Sequence, residues 1–139
     1  LIMSSMKIFD IAGSALSAQS KRLNLVASNM ANADSVSSSV GETYRSRQPV
    51  FKTMMDQINS KDSAVGVQMI GVVESDVPLQ QEYAPGHPMA NEEGYIFQPK
   101  VNVIEEMANM ISASRSYQNN VEVVNSAKQM MMGLLRLGQ

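Results

Sequence analysis

FDIAGSALSAQSKRLNLVASNMANA, residues 9–33, contains no proline and places an apolar side chain at every seventh position: Phe9, Leu16, Leu23 and Met30. Ala12, Val26 and Ala33 fill the alternate steps, and Gln19 interrupts them. Steps of three and four hold such residues on one stripe of a helix, and a sustained heptad needs a partner helix to cover it. The spacing therefore predicts a helix from about residue 8 to residue 33, on the order of 40 Å long, preceded by a frayed leader over residues 1–5. Gly13 costs about 1 kcal/mol relative to alanine inside a helix. Its neighbours Ala12, Ser14 and Ala15 suggest the reason for accepting that cost, because a small patch lets another backbone come close. Asn32, Asp34 and Ser35 compete for backbone hydrogen bonds and should end the helix.

The far end of the chain repeats the pattern. Val103, Met110, Tyr117, Val124 and Met131 recur by sevens, joined by Met107, Val121 and Leu135. No proline follows position 99, so a second helix of roughly 35 residues is expected from Asn102 to about Arg136, on the order of 50 Å long. Asn102 can cap it, Glu105 stands in the capping-box position, and Glu106 also suits the positive helix start. Arg136 complements the other end, and Gly138 is a natural stop. Ser114 and Lys128 are polar intrusions in this seam. If the two helices run antiparallel, Asp10 approaches Lys128. The second helix is longer than the first, so a simple hairpin would leave part of its seam for other chains to cover.

Between the helices the sequence changes character. All five prolines lie between positions 49 and 99. Residues 34–48 are polar and rich in serine, and residues 36–63 read as an extended arm or loop. Within it, Phe51, Met54, Met55 and Ile58 have helical spacing, whereas residues 46–51 suit extended chain equally well; the choice stays open. Val65, Val67 and Met69 alternate, followed by Ile70, Val72 and Val73 among glycines, which predicts a strand. Pro78, Pro85-Gly86 and Pro88 mark turns, and Tyr95, Ile96 and Phe97 form a second short strand stopped by Pro99. The expected fold is mostly α with a small β insert: terminal helices over residues 1–35 and 100–139 form a coiled-coil-like core. Residues 64–99 form an irregular outer β-rich region of two to four strands.

Composition narrows the function. Net charge is −2, with Lys7, Lys21 and Arg22 against Asp10 in the first helix, and four cations against three acids after position 99. The middle is therefore acidic, and the weakly charged helices can lie side by side with little repulsion. No basic stripe with interleaved aromatics is present, which argues against nucleic-acid binding. Aromatics make up 5% of the chain and tryptophan is absent, while twelve methionines supply adaptable apolar surface. Cysteine is absent too, which excludes disulfides and thiolate metal sites. No signal-peptide pattern is expected at the start, and no run approaches the roughly 20 apolar residues that span a bilayer. His87 is the only histidine and sits in the turn Pro85-Gly86-His87-Pro88, so zinc or a histidine-based triad has too few parts. It reads as a solvent-exposed turn residue. Glu92-Glu93 and Glu105-Glu106 are adjacent pairs that point apart and read as solvated charge. Met130-Met131-Met132 reads as helix packing, because Met131 falls on the seam. No phosphate loop or nucleophile elbow is present, so no cofactor, metal or catalytic residue is expected.

Residues 11–35 carry a more specific signal. Small residues with Gln19, then Arg22-Leu23-Asn24, lead into Asn29-Met30-Ala31-Asn32-Ala33. This resembles the N-terminal signature of the bacterial flagellar rod, hook and hook-associated family. Ser35 stands where that family's pattern usually has threonine, and residues 36–43 intervene before Tyr44-Arg45, an insertion like that of the family's proximal-rod branch. Residues 95–107, containing Asn102 and Glu106, resemble its second signature, as do Tyr117-Gln118-Asn119-Asn120 and residues 83–88. The resemblance implies a non-enzymatic subunit that polymerises helically into the drive shaft and export channel of the flagellar basal body, across the periplasm, in the service of motility. It implies as partners copies of the chain itself, other rod proteins and the rod–export-gate adaptor, with export by the flagellar type III apparatus and no membrane insertion. The terminal-helix seams are then the expected assembly surface. A soluble helical adaptor or secretion chaperone that clasps a client is the alternative.

Overall fold

A computed structural model describes residues 2–55 and 65–137. Helix α1 (Ile2–Ala31) is followed by strands β1 (Arg47–Met55), β2 (Val65–Glu74), β3 (Gln80–Tyr83) and β4 (Tyr95–Gln98), and by helix α2 (Val103–Leu137). Helix accounts for about half of the chain, in two terminal elements, and the middle holds four strands. The helix begins at Ile2 rather than after a frayed leader; the first residues contain no glycine or proline to stop it. It gives way to turns from Asn32, where the Asn32 side chain donates to the Ser28 carbonyl at 2.8 Å and the Ser35 hydroxyl to the Asn32 carbonyl at 2.8 Å.

The open choice around Phe51 resolves as strand. β1 pairs with β2 in a two-stranded sheet, in which both strands are edges, the setting in which a strand proline such as Pro49 is tolerated. Ile58 and Gly138 lie outside the described residues. β3 and β4 form a second, antiparallel pair in register Gln80↔Gln98 to Tyr83↔Tyr95. The Tyr83 and Tyr95 rings meet edge to face with centroids 5.1 Å apart. β3 is exposed along its whole length, so its sequence, Gln-Gln-Glu-Tyr, shows no alternation that would betray it; pairing with β4 makes it a strand. Ser37 bridges to Phe97 on β4 through two backbone hydrogen bonds of 3.0 Å.

The connection from β3 to β4 turns at Gly94, whose φ of +83° is open to glycine. A Cβ there would lie 2.9 Å from the Tyr83 ring and 3.2 Å from Pro85 Cβ. Gly94→Ala should therefore add at least about 1–2 kcal/mol of backbone strain alone. The expected result is about tenfold faster amide exchange at Ala84 and Tyr95, whose N–H groups bond to the Gly94 carbonyl and Asn91 Oδ1.

Two compact units divide the residues. One comprises residues 1–23, 49–71 and 112–139, the other residues 24–48 and 72–111. In the first, the buried apolar residues among those described are alanines, Ala12, Ala18, Ala113 and Ala127, each at most 4% exposed. A backbone does come close to the small patch on α1, but at Ser14 and not at Gly13, where an added Cβ would meet nothing within 4 Å. The Val67 N–H donates to Ser14 Oγ at 3.1 Å, and a Cβ on Gly66 would stand 3.1 Å from that same oxygen. In the second unit Val26 and Ile96 are buried together with polar Asn29, Ser37, Thr43 and Glu106. Its interior is therefore held by hydrogen bonds as much as by apolar contact.

Candidate functional site

Asn29 is 1% exposed and is the largest fully buried side chain among the described residues. A carboxamide has two N–H donors and an oxygen with two lone pairs, and here all four are used. Nδ2 donates to the Arg47 carbonyl at 2.9 Å and to Glu106 Oε1 at 3.1 Å. Oδ1 accepts from the Arg47 N–H at 2.9 Å and from the Tyr44 hydroxyl at 2.7 Å. The amide therefore pairs with both backbone groups of Arg47 as a neighbouring strand would. It joins three parts of the second unit: the end of α1, the start of β1 and the first turn of α2.

The surrounding side chains hold this junction in place. Tyr44 also lies 3.2 Å from Ser28 Oγ, and the Arg47 guanidinium stands 5.6 Å from the centre of the Tyr44 ring. Arg47 reaches Glu74 on β2 at 3.1 Å, a half-exposed ion pair worth at most about 1 kcal/mol. On α2, Asn102 Oδ1 accepts from the Ile104 and Glu105 N–H groups at 3.2 and 3.3 Å, the expected cap. Glu106 departs from expectation. It is 6% exposed, not solvated, because the Asn29 amide and the positive end of α2 compensate the carboxylate for lost water. Of the other motif residues, Asn32 closes the end of α1, and Asn24 is exposed.

The seam residues divide differently on the two helices. On α1, Val26 is buried, and Phe9, Leu16, Leu23 and Met30 are half-buried. Gln19 Oε1 is buried, with no hydrogen-bond partner among the described residues. On α2, Met110, Val124 and Met131 are half-buried, but Val103, Met107, Tyr117, Val121 and Leu135 are exposed, Leu135 at 68%. The positions α2 covers within the chain are instead Glu106, Ala113 and Ala127, with Asn120 half-buried between them. At 100° per residue, that column flanks the Met110–Met131 column on the side opposite Met107, Val121 and Leu135, so the covered face is turned by about 60°. Ile104, Ile111, Met130, Met132 and Leu134 are exposed as well.

Other candidate sites are less developed. A cleft of about 580 Å³ is lined by polar side chains including Ser35, Thr43, Arg45 and Arg47. Its arginines are committed, Arg47 to Glu74 and Arg45 to the Ser75 and Val77 carbonyls at 3.1 and 3.4 Å. His87 is half-buried rather than exposed, since its Nδ1 accepts from the Met89 N–H at 3.1 Å and braces the turn. Asp10 and Lys128 are both exposed and form no ion pair with each other. Among the described residues no group of acids and histidine is arranged to hold a metal, and no helix is long and apolar enough to cross a membrane.

Comparison with known proteins points one way. Residues 9–37 match the family model for flagella basal body rod proteins, and residues 92–137 match that for the C-terminal part of the flagellar basal body rod FlgEFG proteins. The flagellar basal-body rod protein FlgC of Escherichia coli O6:H1 is 52% identical over 99% of this chain and 100% of its own length. FlgC of Salmonella typhimurium is 51% identical and that of Buchnera aphidicola from Schizaphis graminum 42%, each over the same shares.

Proposed function

The chain belongs to the flagellar basal-body rod protein family and is a structural subunit of the bacterial flagellar rod; from that premise we propose how it does the work. Subunits polymerise helically through their terminal helices into the proximal rod, which serves as drive shaft and export channel. The observation that carries this reading is the apolar surface left along α2, from Ile104 at 80% exposed to Leu135 at 68%. Fully burying each such side chain contributes about 1.5–3 kcal/mol, and a shaft transmits torque through many such contacts at once.

The seam residues named from the sequence act on both sides of this wall. Those on α1 belong to the packed interior of a subunit, and Met107, Tyr117, Val121 and Leu135 face neighbours. The chain travels through the flagellar type III apparatus and takes its place in the rod across the periplasm, next to the rod–export-gate adaptor and other rod proteins. It needs no cofactor and catalyses no reaction. Nothing on the chain favours the adaptor or chaperone reading.

A helix with an uncovered seam is marginal in water. Before assembly, then, the terminal helices should be largely unfolded. Circular dichroism of the dilute monomer should show well under the helix content of α1 and α2 together. A fully helical monomer would contradict the coupling of folding to assembly.

A further inference from the structure

Outside the covered faces, α1 and α2 each present a second stripe within the first unit. On α1 the exposed positions Met6, Asp10, Gly13, Ser17 and Ser20 advance by steps of four and three. On α2, Gln118, Val121, Asn125, Lys128 and Met132 are all exposed and advance by three and four. Read in opposite directions the two step patterns coincide. Bulk and charge then match as well. Met6 falls opposite Met132, Asp10 opposite Lys128, Gly13 opposite Asn125 and Ser17 opposite Val121. Asp10 and Lys128 do not pair inside one chain, yet both stand on these outward stripes with opposite charge. The α1 stripe is small in its middle, where it allows close approach, and the α2 stripe supplies the larger side chains.

We propose that the outward α2 stripe is covered by the outward α1 stripe of a second copy of this chain, running antiparallel, with Asp10 of one copy against Lys128 of the next. The inference rests on the rod reading above and names its contact. Because the α1 and α2 stripes differ, the contact is heterologous and leaves one stripe open on each side, which extends an assembly instead of closing a dimer. The inward face of each helix stays committed within its own subunit, so one chain can be held from two sides.

The chain contains no cysteine, so a cysteine pair reports on one contact alone. Ser17→Cys with Val121→Cys, in full-length chain assembled into rods and mildly oxidised, should give a ladder of covalent multimers on a non-reducing gel. Either single variant should give none, since facing seam positions bring Cβ atoms within disulfide reach and like positions do not. An intrachain disulfide, or rods without a cross-link, overturns the proposal while the rod reading stands; absence of the unmodified chain from purified rods overturns both. If the cysteine pair blocks assembly, charge reversal decides. Asp10→Lys and Lys128→Asp should each lower rod yield about fivefold or more, and the double reversal should restore it. Failure of the double variant to recover overturns the contact.

Discussion

Asn29→Leu should reduce assembled rods more than about a hundredfold. The substitution keeps the branched shape of the side chain but removes four hydrogen bonds, to the Arg47 N–H and carbonyl, the Tyr44 hydroxyl and Glu106. A buried group that loses its partner costs about 1–3 kcal/mol, more for a charged one. Even two such losses approach 3 kcal/mol, about two factors of ten in an equilibrium, against total stabilities of about 5–15 kcal/mol. Asn29→Asp should fare no better, since it brings a second carboxylate to Glu106 and replaces two donors with acceptors. Tyr44→Phe removes two bonds, to Asn29 Oδ1 and to Ser28 Oγ, and should cost about 1–3 kcal/mol. The measurement is the yield and thermal dissociation of purified basal bodies. Normal rods from Asn29→Leu would show that the junction carries little of the fold.

Leu23→Asp and Val124→Asp should each abolish rods outright while the variant chain is still exported. Both side chains are half-buried in the first unit. Each substitution forfeits about 1.5–3 kcal/mol of apolar burial and then asks a carboxylate to leave water. The penalty recurs in every subunit, so it compounds along a polymer. Export is unaffected if the chain passes unfolded, because a seam matters only once packed. Electron microscopy of basal bodies and assay of the secreted chain separate the two effects, and normal rods from either variant would sink the role given to these seams.

The long elements were legible because their signals are local. Asn102 and the proline-free run after it place the start of α2, and the alternation of Val65, Val67 and Met69 gives β2. What the sequence hid depends on distant partners. β3 is a strand only because Tyr83 and Gln80 meet Tyr95 and Gln98. Glu106 reads as a surface charge until Asn29, 77 positions away, is found bonded to it. Resemblance singled out Asn29, but nothing local could show that its amide pairs with the backbone of Arg47. The face of α2 that is covered within the chain is hidden from the sequence for a related reason. Periodicity favours the larger side chains, Met107, Val121 and Leu135, whereas a close approach inside one chain selects Ala113 and Ala127.

The spacing of the Asn29 junction also sets a rule of timing. Its three parts lie at positions 29, 44–47 and 106, so the span from Asn29 to Glu106 must be free on one side of any channel before the last bond can close. Whichever end is threaded first, most of the chain has emerged by then. Contacts so far apart in sequence form late in folding. On the proposed export route, Asn29 would thus act as a latch that a partly delivered chain cannot set, and the second unit would lock only once residues 29–106 are all free.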